Sequence, residues 1–443
     1  MLSTPIPSPL TALVSNPLYL WLGVLLILLS AVRLLLPLRK PKGRDAAGTP
    51  PRSISPKPRE KDHPNTSRTA AEIAAFGRFP DYAKLSGVPL PKPYPEFDIH
   101  KALPRPYRPF RWAYHQTMSF KKLEPDWWLE LENTYISRIA QRKALFAQHG
   151  SNVLQALPGS EAACTELMEM ALQFLVTRYP HYFTLTQSST NASEILTNKI
   201  LQKSFSIRDH HPLHVLLENI PEDFAITLPS PTTTGDYVFV AGVICSSLGW
   251  NLATKIGKTL SQIHAPVPDY AEKMSKSMDR FFSKLPCNAP IQRGSWGLEH
   301  GQPLYMPADD DDAHTHLRGG GVQDPLLKPE DVFLRVDWQT LRRIPLSGAV
   351  VFNFKALFTR LDEFRDEPGV PALVLEILEQ GKRSLMLYKG TWHVEHVAVP
   401  ALRAWKEEQL AKGLVQAGCE VATLEAYPWF DGWRGKWTSQ QGF

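Results

Sequence analysis

His264 stands in the run SQIHAPVPDY, at the end of a helical segment and before a Pro-rich turn that opens the next one. An imidazole there is a nitrogen donor for iron. The plainer role is a cap on a helix C-terminus, where positive charge is favoured. Cys245 ends an apolar run and is the rival donor as a thiolate, although a small cysteine there is ordinarily packing. Arg293, in PIQRGSWGLE, and Arg335, in LRVDWQTL, carry guanidinium forks that suit a bidentate carboxylate. A structural ion pair is the alternative for each, and the preferred one for Arg335. Trp250 and Trp296 could line a flat ligand or fill core. Gln339 could donate a hydrogen bond to a small bound molecule or serve as a turn partner. The run ADDDDAHTHLRGGG brings Asp309, Asp310, Asp311, Asp312, His314 and His316 together. Those are metal-ligand types, but acidic residues followed by glycines read as a solvated loop.

The elements that must carry these residues lie in a chain of 443 residues with a net charge of +5. Much of that excess sits near the N-terminus, so it does not point to nucleic acid. The four cysteines form no C-x-x-C pair and no zinc spacing, which fits a reducing compartment. The 12 Trp, 13 Tyr and 20 Phe suit a core that encloses a large flat ligand. There is no Rossmann glycine fingerprint and no cysteine set for an iron–sulfur cluster.

Residues 18–36 read LYLWLGVLLILLSAVRLLL, about the length needed to span hydrocarbon at roughly 20 residues. Arg33 is close enough to one end to snorkel, and Tyr19 and Trp21 suit the other interface. No Lys or Arg precedes the run and no small-x-small cleavage site follows it, so an uncleaved anchor is expected rather than a signal peptide. Arg39, Lys40, Lys42 and Arg44 follow, which by the positive-inside rule leaves a short lumenal tail at 1–17 and a body in the cytosol, anchored in the endoplasmic reticulum. Residues 37–90 are rich in Pro, Lys, Arg, Ser and Thr and read as a disordered tether. The Pro-rich stretch that follows reads as an arm on the surface of a domain spanning 91–443. Asn65 and Asn191 sit in N-x-S/T sequons, which a cytosolic body would leave unmodified.

Within the body, Pro125 to Gly150 reads as one helix, with a stripe of Trp128, Leu131, Tyr135 and Ile139. A second follows, with Ser160 as N-cap and Pro180 as its stop. EDFAITLPS, DYVFVAGVICSS, DVFLRVDWQTL and SGAVVFNFKALF have strand character. PDYAEKMSKSMDRFFSKL, LVLEILEQG and LRAWKEEQLAKG read as helices. Helices first, then strands around a central helix, then strands again, predict an α+β domain.

Several stretches together resemble the haem-dependent oxidative N-demethylase family, in a form similar to its fungal members. They are KKLEPDWWLELENTYISRIAQRKALF, LPGSEAACTEL, AGVICSSLGWNLATKIGKTLSQIHAPVPDYAEKMSKSMDRFF, PIQRGSWGLE and LRVDWQTLRRIPLSGAVVF. The resemblance covers about 118 to 392. It implies a PAS-like antiparallel sheet with packed helices that holds haem b. It implies an enzyme that uses O2 to demethylate an amine, with release of formaldehyde. Electrons would come from a separate NAD(P)H, flavin and iron–sulfur reductase. Where haem is bound, His264 is the candidate axial ligand, Arg293, Trp296 and Arg335 are the candidate haem-binding residues, and Gln339 is the candidate catalytic one. Ser295 and Trp338 depart from the bacterial pattern, where Asn and Arg are expected.

Two other readings remain open. A haem-bound PAS module can sense gas without turnover, since fold does not fix function. One transmembrane helix, a Pro-rich stem and a globular body also describe a Golgi glycosyltransferase, although that architecture calls for basic residues before the helix.

Overall fold

The computed structural model describes residues 68–115, 117–187, 193–307 and 322–443. The expected anchor at 18–36, most of the tether, both sequons and the acidic run lie outside the described residues. Among the described residues no helix is long and apolar enough to cross a membrane.

In chain order the strands are β1 (Lys121–Lys122), β2 (Leu154–Ala156), β3 (Phe183–Gln187), β4 (Glu194–Asn198), β5 (Lys203–Ser206), β6 (Asp223–Pro229), β7 (Tyr237–Val243), β8 (Ile291–His300), β9 (Val332–Arg343) and β10 (Val350–Arg360). Seven build the main sheet in the order β1-β8-β9-β10-β6-β7-β2, and β3-β4-β5 form a small second sheet. Every pairing is antiparallel. With helices packed on the sheet, this is the expected α+β architecture.

Alternation sorts the side chains onto two faces. In β10, Val351, Asn353, Lys355 and Leu357 point one way, while Val350, Phe352, Phe354 and Ala356 point the other. The first face is covered by α1 (Tyr135–His149), α2 (Glu161–Arg178) and α3 (Pro212–Asn219), whose Tyr135, Leu167, Leu172 and Leu216 pack with Phe224, Ile226 and Val351. The second face lies under the 250–285 segment. That segment contains α4 (Leu260–His264), a π-helical turn at Tyr270–Met274 and α5 (Ser275–Lys284). Its Leu260, Tyr270, Met278 and Phe282 pack on Leu341 and Val350. The C-terminal helices α6 (Val370–Gln380) and α7 (Trp392–Ala411) close the first face at its other end, over Trp296, Leu334 and Val336. The short helix α8 (Trp433–Gln441) follows; its Trp437 Nε1 donates to the Leu103 carbonyl at 2.9 Å.

Three expectations are corrected. The helix expected from Pro125 begins only at Tyr135; Pro125–Trp127 forms one 3-10 turn. Tertiary partners override helix propensity between them: the Trp128 indole donates to Asn353 Oδ1 at 3.0 Å, and Glu130 is held by Arg105 and Tyr107. The arm is on the surface only along its first part, where Lys92, Pro93 and Lys101 are exposed; its end is buried. Tyr107 and Phe110 are each 1 % exposed, and Arg108 makes a bidentate pair with Glu367 at 2.6 and 2.7 Å with neither side chain exposed. The described end of the tether is ordered as well: Tyr82–Ser86 is helical, and the buried Tyr82 hydroxyl donates to Glu169 at 2.8 Å. β8 and the small sheet were not foreseen, because Gly294 and Gly297 interrupt the alternation that marks a strand. Gly294 is required there, since a Cβ would lie 2.8 Å from Pro109 of the arm.

Candidate functional site

The 250–264 stretch leaves the end of β7 through a turn fixed by two buried charges. Asp223 accepts from the Cys245 and Ser246 amides at 2.9 and 2.7 Å and from the Ser246 hydroxyl at 2.6 Å, and it pairs with Arg142. Arg335 donates to the Ser246 carbonyl at 2.7 Å and the Pro303 carbonyl at 2.6 Å, and it pairs with Asp337 at 2.9 Å. The chain then returns along β7, where the Gly257 amide donates to the Phe239 carbonyl at 2.8 Å and the Phe239 amide to the Lys258 carbonyl at 3.0 Å. A capping box on Thr259 and Gln262 starts α4, and His264 is its last residue. The chain is thus held at both ends, so His264 is presented from a short rigid element.

His264 lies between two aromatic rings: Tyr270 is stacked on it at 5.1 Å and 16°, and Trp250 is tilted against it at 5.3 Å. Its Nδ1 lies 2.8 Å from the Leu260 carbonyl. A carbonyl only accepts, so Nδ1 carries the proton and the Nε2 lone pair is available. Burial lowers the imidazole pKa, the Leu260 carbonyl partly offsets this, and Arg293 and Lys255 lower it further. The ring is therefore held neutral, the form that ligates metal.

Both charges that act on His264 are cations. Lys255 lies 4.8 Å over the Trp250 ring. Arg293, on β8, stands in register with Gln339 on β9, which is in turn paired with Phe354 on β10. All three point to the second face. The Arg293 Nε is buried without a hydrogen-bond partner. Burial lowers the pKa of its guanidinium; Tyr427 and Tyr114 oppose this, and no carboxylate does. Phe352 and Phe354, with rings 5.4 Å apart, form part of the apolar floor beneath Trp250.

The structure brings His264, Trp250, Arg293 and Gln339 to one face of the sheet; it does not bring Trp296 or Arg335 into that group. Trp296 points to the opposite face, against Phe110 at 5.1 Å and beneath the Lys389 ammonium at 4.7 Å. Strand parity separates it from Arg293: the two are three residues apart, and an odd spacing puts them on opposite faces. Arg335 is committed to Asp337 and to two backbone carbonyls, so it holds the turn at Ser246 rather than a ligand. Cys245 is buried with the residues under α1 and α2, and burial pushes its thiol up to about 12. A neutral thiol there is packing. Trp338 also lies on the first face, stacked on Tyr107 at 3.6 Å, so its departure from the expected Arg lies away from His264. Lys255 was not singled out from the sequence. Its only signal was a position in the same short connection as His264.

The seven-stranded antiparallel sheet with helices packed on it makes this an α+β protein, with a neutral histidine and, among the described residues, cations without carboxylate partners on one face. The model of the haem-dependent oxidative N-demethylase, alpha subunit-like family matches residues 119–399. The chain belongs to that family. Haem needs one axial donor and cationic partners for its carboxylates. The lone pair on His264 and the orphaned Nε of Arg293 meet both needs. Among the described residues no group of three or more His, Cys, Asp or Glu side chains could hold a bare metal ion.

Proposed function

We propose that this protein is a haem b oxygenase that removes an N-methyl group from an amine. The observation that carries the reading is His264: neutral, clamped between Tyr270 and Trp250, with Nδ1 tied to Leu260 and cations as its charged neighbours. His264 would hold the iron through Nε2. Arg293, aided by Lys255, would hold the haem carboxylates. The chemistry that haem supplies when bound is reductive activation of O2, in which an N-methyl amine, O2, two protons and two electrons give the demethylated amine, formaldehyde and water. The electrons come from a separate reductase of the NAD(P)H, flavin and iron–sulfur class.

The protein's own contribution is positioning and exclusion of water. Phe352, Phe354 and Trp250 give an apolar wall that favours the neutral, oxidisable form of an amine over its ammonium form. Gln339 supplies an amide beside Arg293 that can orient a substrate or bound oxygen by hydrogen bonding. We further propose that residues 18–36 anchor the chain in the endoplasmic reticulum with the body in the cytosol. Protease added to sealed microsomes would then digest the body, and full protection would reverse the topology.

An absorption spectrum of the purified chain tests the cofactor. A Soret band is expected, together with formaldehyde release that depends on amine and reductant. His264→Gly should lose or shift that band and recover it in part with added imidazole. No Soret band after growth with ample haem would defeat the reading. O2 binding with no consumption of reductant across a panel of N-methyl amines would make the protein a sensor.

A further inference from the structure

We propose a second ligand site on the opposite face of the sheet: a cleft in which Arg342 binds a small carboxylate. Arg342 follows Gln339 by three residues on β9, so it points away from His264 toward the face under α2. It is 5 % exposed, and its guanidinium lies 4.0 Å over the Trp128 ring. Its Nε is buried with no hydrogen-bond partner, and Arg342 forms no ion pair among the described residues. Burial without a counter-ion lowers its pKa to about 10; Cys287 and Glu166 only partly oppose this. An arginine in that state is costly to bury and is ready for an anion.

The cleft in front of it is lined by Val88, Leu123, Trp128, Met170 and Phe174, with Pro89 and the half-exposed Leu90 at its mouth. Its other polar groups are already engaged. The Tyr82 hydroxyl donates to Glu169, the Ser86 hydroxyl to the Tyr82 carbonyl, and the Gln173 amide to the Pro80 carbonyl. The nearby Glu166 is held by the Leu346 and Ser347 amides at 2.5 and 2.7 Å and does not reach Arg342. Arg342 is therefore the open polar group of an otherwise apolar cleft.

Size and lining select the ligand class. The cavity measures about 30 Å³, room for roughly two water-sized groups. That holds a carboxylate head, with a tail of one or two carbons reaching the mouth beside the half-exposed Leu90. The planar fork of Arg342 matches a carboxylate bidentately, and Met170 and Phe174 would cover its short apolar tail. A halide would use the charge but leave that apolar lining without a partner.

The test is a saturation-transfer NMR titration of propionate into the full chain in deuterated detergent, with ionic strength held constant. The wild type should give a saturable methyl signal with a Kd of about 1 mM, within the ceiling for so few heavy atoms. Arg342→Met should weaken binding at least about tenfold, as expected for loss of a charge-assisted pair. Val88→Trp should do the same by filling the cleft while leaving Arg342 in place, so the test survives if Arg342→Met fails to fold. The proposal falls if the wild-type signal does not saturate, or if both variants bind like wild type. Displacement of propionate by equimolar chloride would replace the carboxylate assignment with a plain halide site. Haem content serves as a control and should be unchanged in Val88→Trp.

Discussion

Arg293→Met separates a cofactor-anchoring arginine from a packing one, because the two roles predict opposite signs. In the haem-free protein, Arg293 is a cation with a buried, unpartnered Nε and no carboxylate to compensate it. A buried donor left unsatisfied costs about 1–3 kcal/mol, more where it is charged. Met has a similar length and no polar atom, so the haem-free variant should be more stable than wild type by about 1–3 kcal/mol. Urea unfolding of haem-free protein at equal concentration measures this. In the loaded protein the sign reverses. One charge-assisted hydrogen bond to a haem carboxylate is worth about 1.5–3 kcal/mol. Its loss should weaken haem binding about tenfold to a hundredfold, at about 1.4 kcal/mol per decade. Transfer of haem to an excess of an apo-globin reads that change directly. Arg293→Lys, which keeps the charge but not the fork, should fall between. Destabilisation of the haem-free variant with no change in haem transfer would refute the reasoning and make Arg293 a structural residue.

Further expectations follow from buried charges elsewhere. Glu222 is fully buried; burial pushes its carboxyl from 4.5 up to about 7, with Lys355 opposing, and its Oε2 has no partner. A raised carboxyl pKa contributes stability that is present below about pH 4.5 and lost as pH rises through about 7. Glu222→Gln should flatten that part of the stability profile and be about 3 kcal/mol more stable than wild type at about pH 8, measured by urea unfolding across pH; an unchanged profile would count against it. Glu367→Gln breaks the pair with Arg108, which has no exposed surface, and should cost about 3–5 kcal/mol of unfolding free energy. A loss below about 1 kcal/mol would mean that the glutamine oxygen and water satisfy Arg108 without the charge. Cys245→Ser should leave the visible spectrum of the haem-loaded protein unchanged, since the buried thiol lies on the other face of the sheet from His264; loss of the spectrum would move the iron ligand to sulfur.

Local pattern alone determined much of the architecture. Four strands were legible because Val, Ile and Phe recur at a period of two in residues 223–229, 237–243, 332–343 and 350–360. The helix at Glu161–Arg178 was legible because its apolar face repeats at helical spacing between a serine and a proline. His264 was legible as the last residue of a short helix. The tertiary structure decided what long-range partners control. Residues 128–133 are kept from the helix by Asn353, Arg105 and Tyr107, and no local pattern contains those partners. Arg108 looked exposed because a charge is solvated in isolation, yet it is buried by a carboxylate 259 residues away. From sequence a structural ion pair is the preferred reading for Arg335, while Arg293 is left open between a structural pair and a ligand contact. Only register showed that Asp337 and two carbonyls satisfy Arg335, while Arg293 stands beside His264 with a donor unpaired. The fold thus separated a guanidinium tied to a carboxylate and two carbonyls from one left with an unpartnered donor, because that difference lies in the partners and not in the residue.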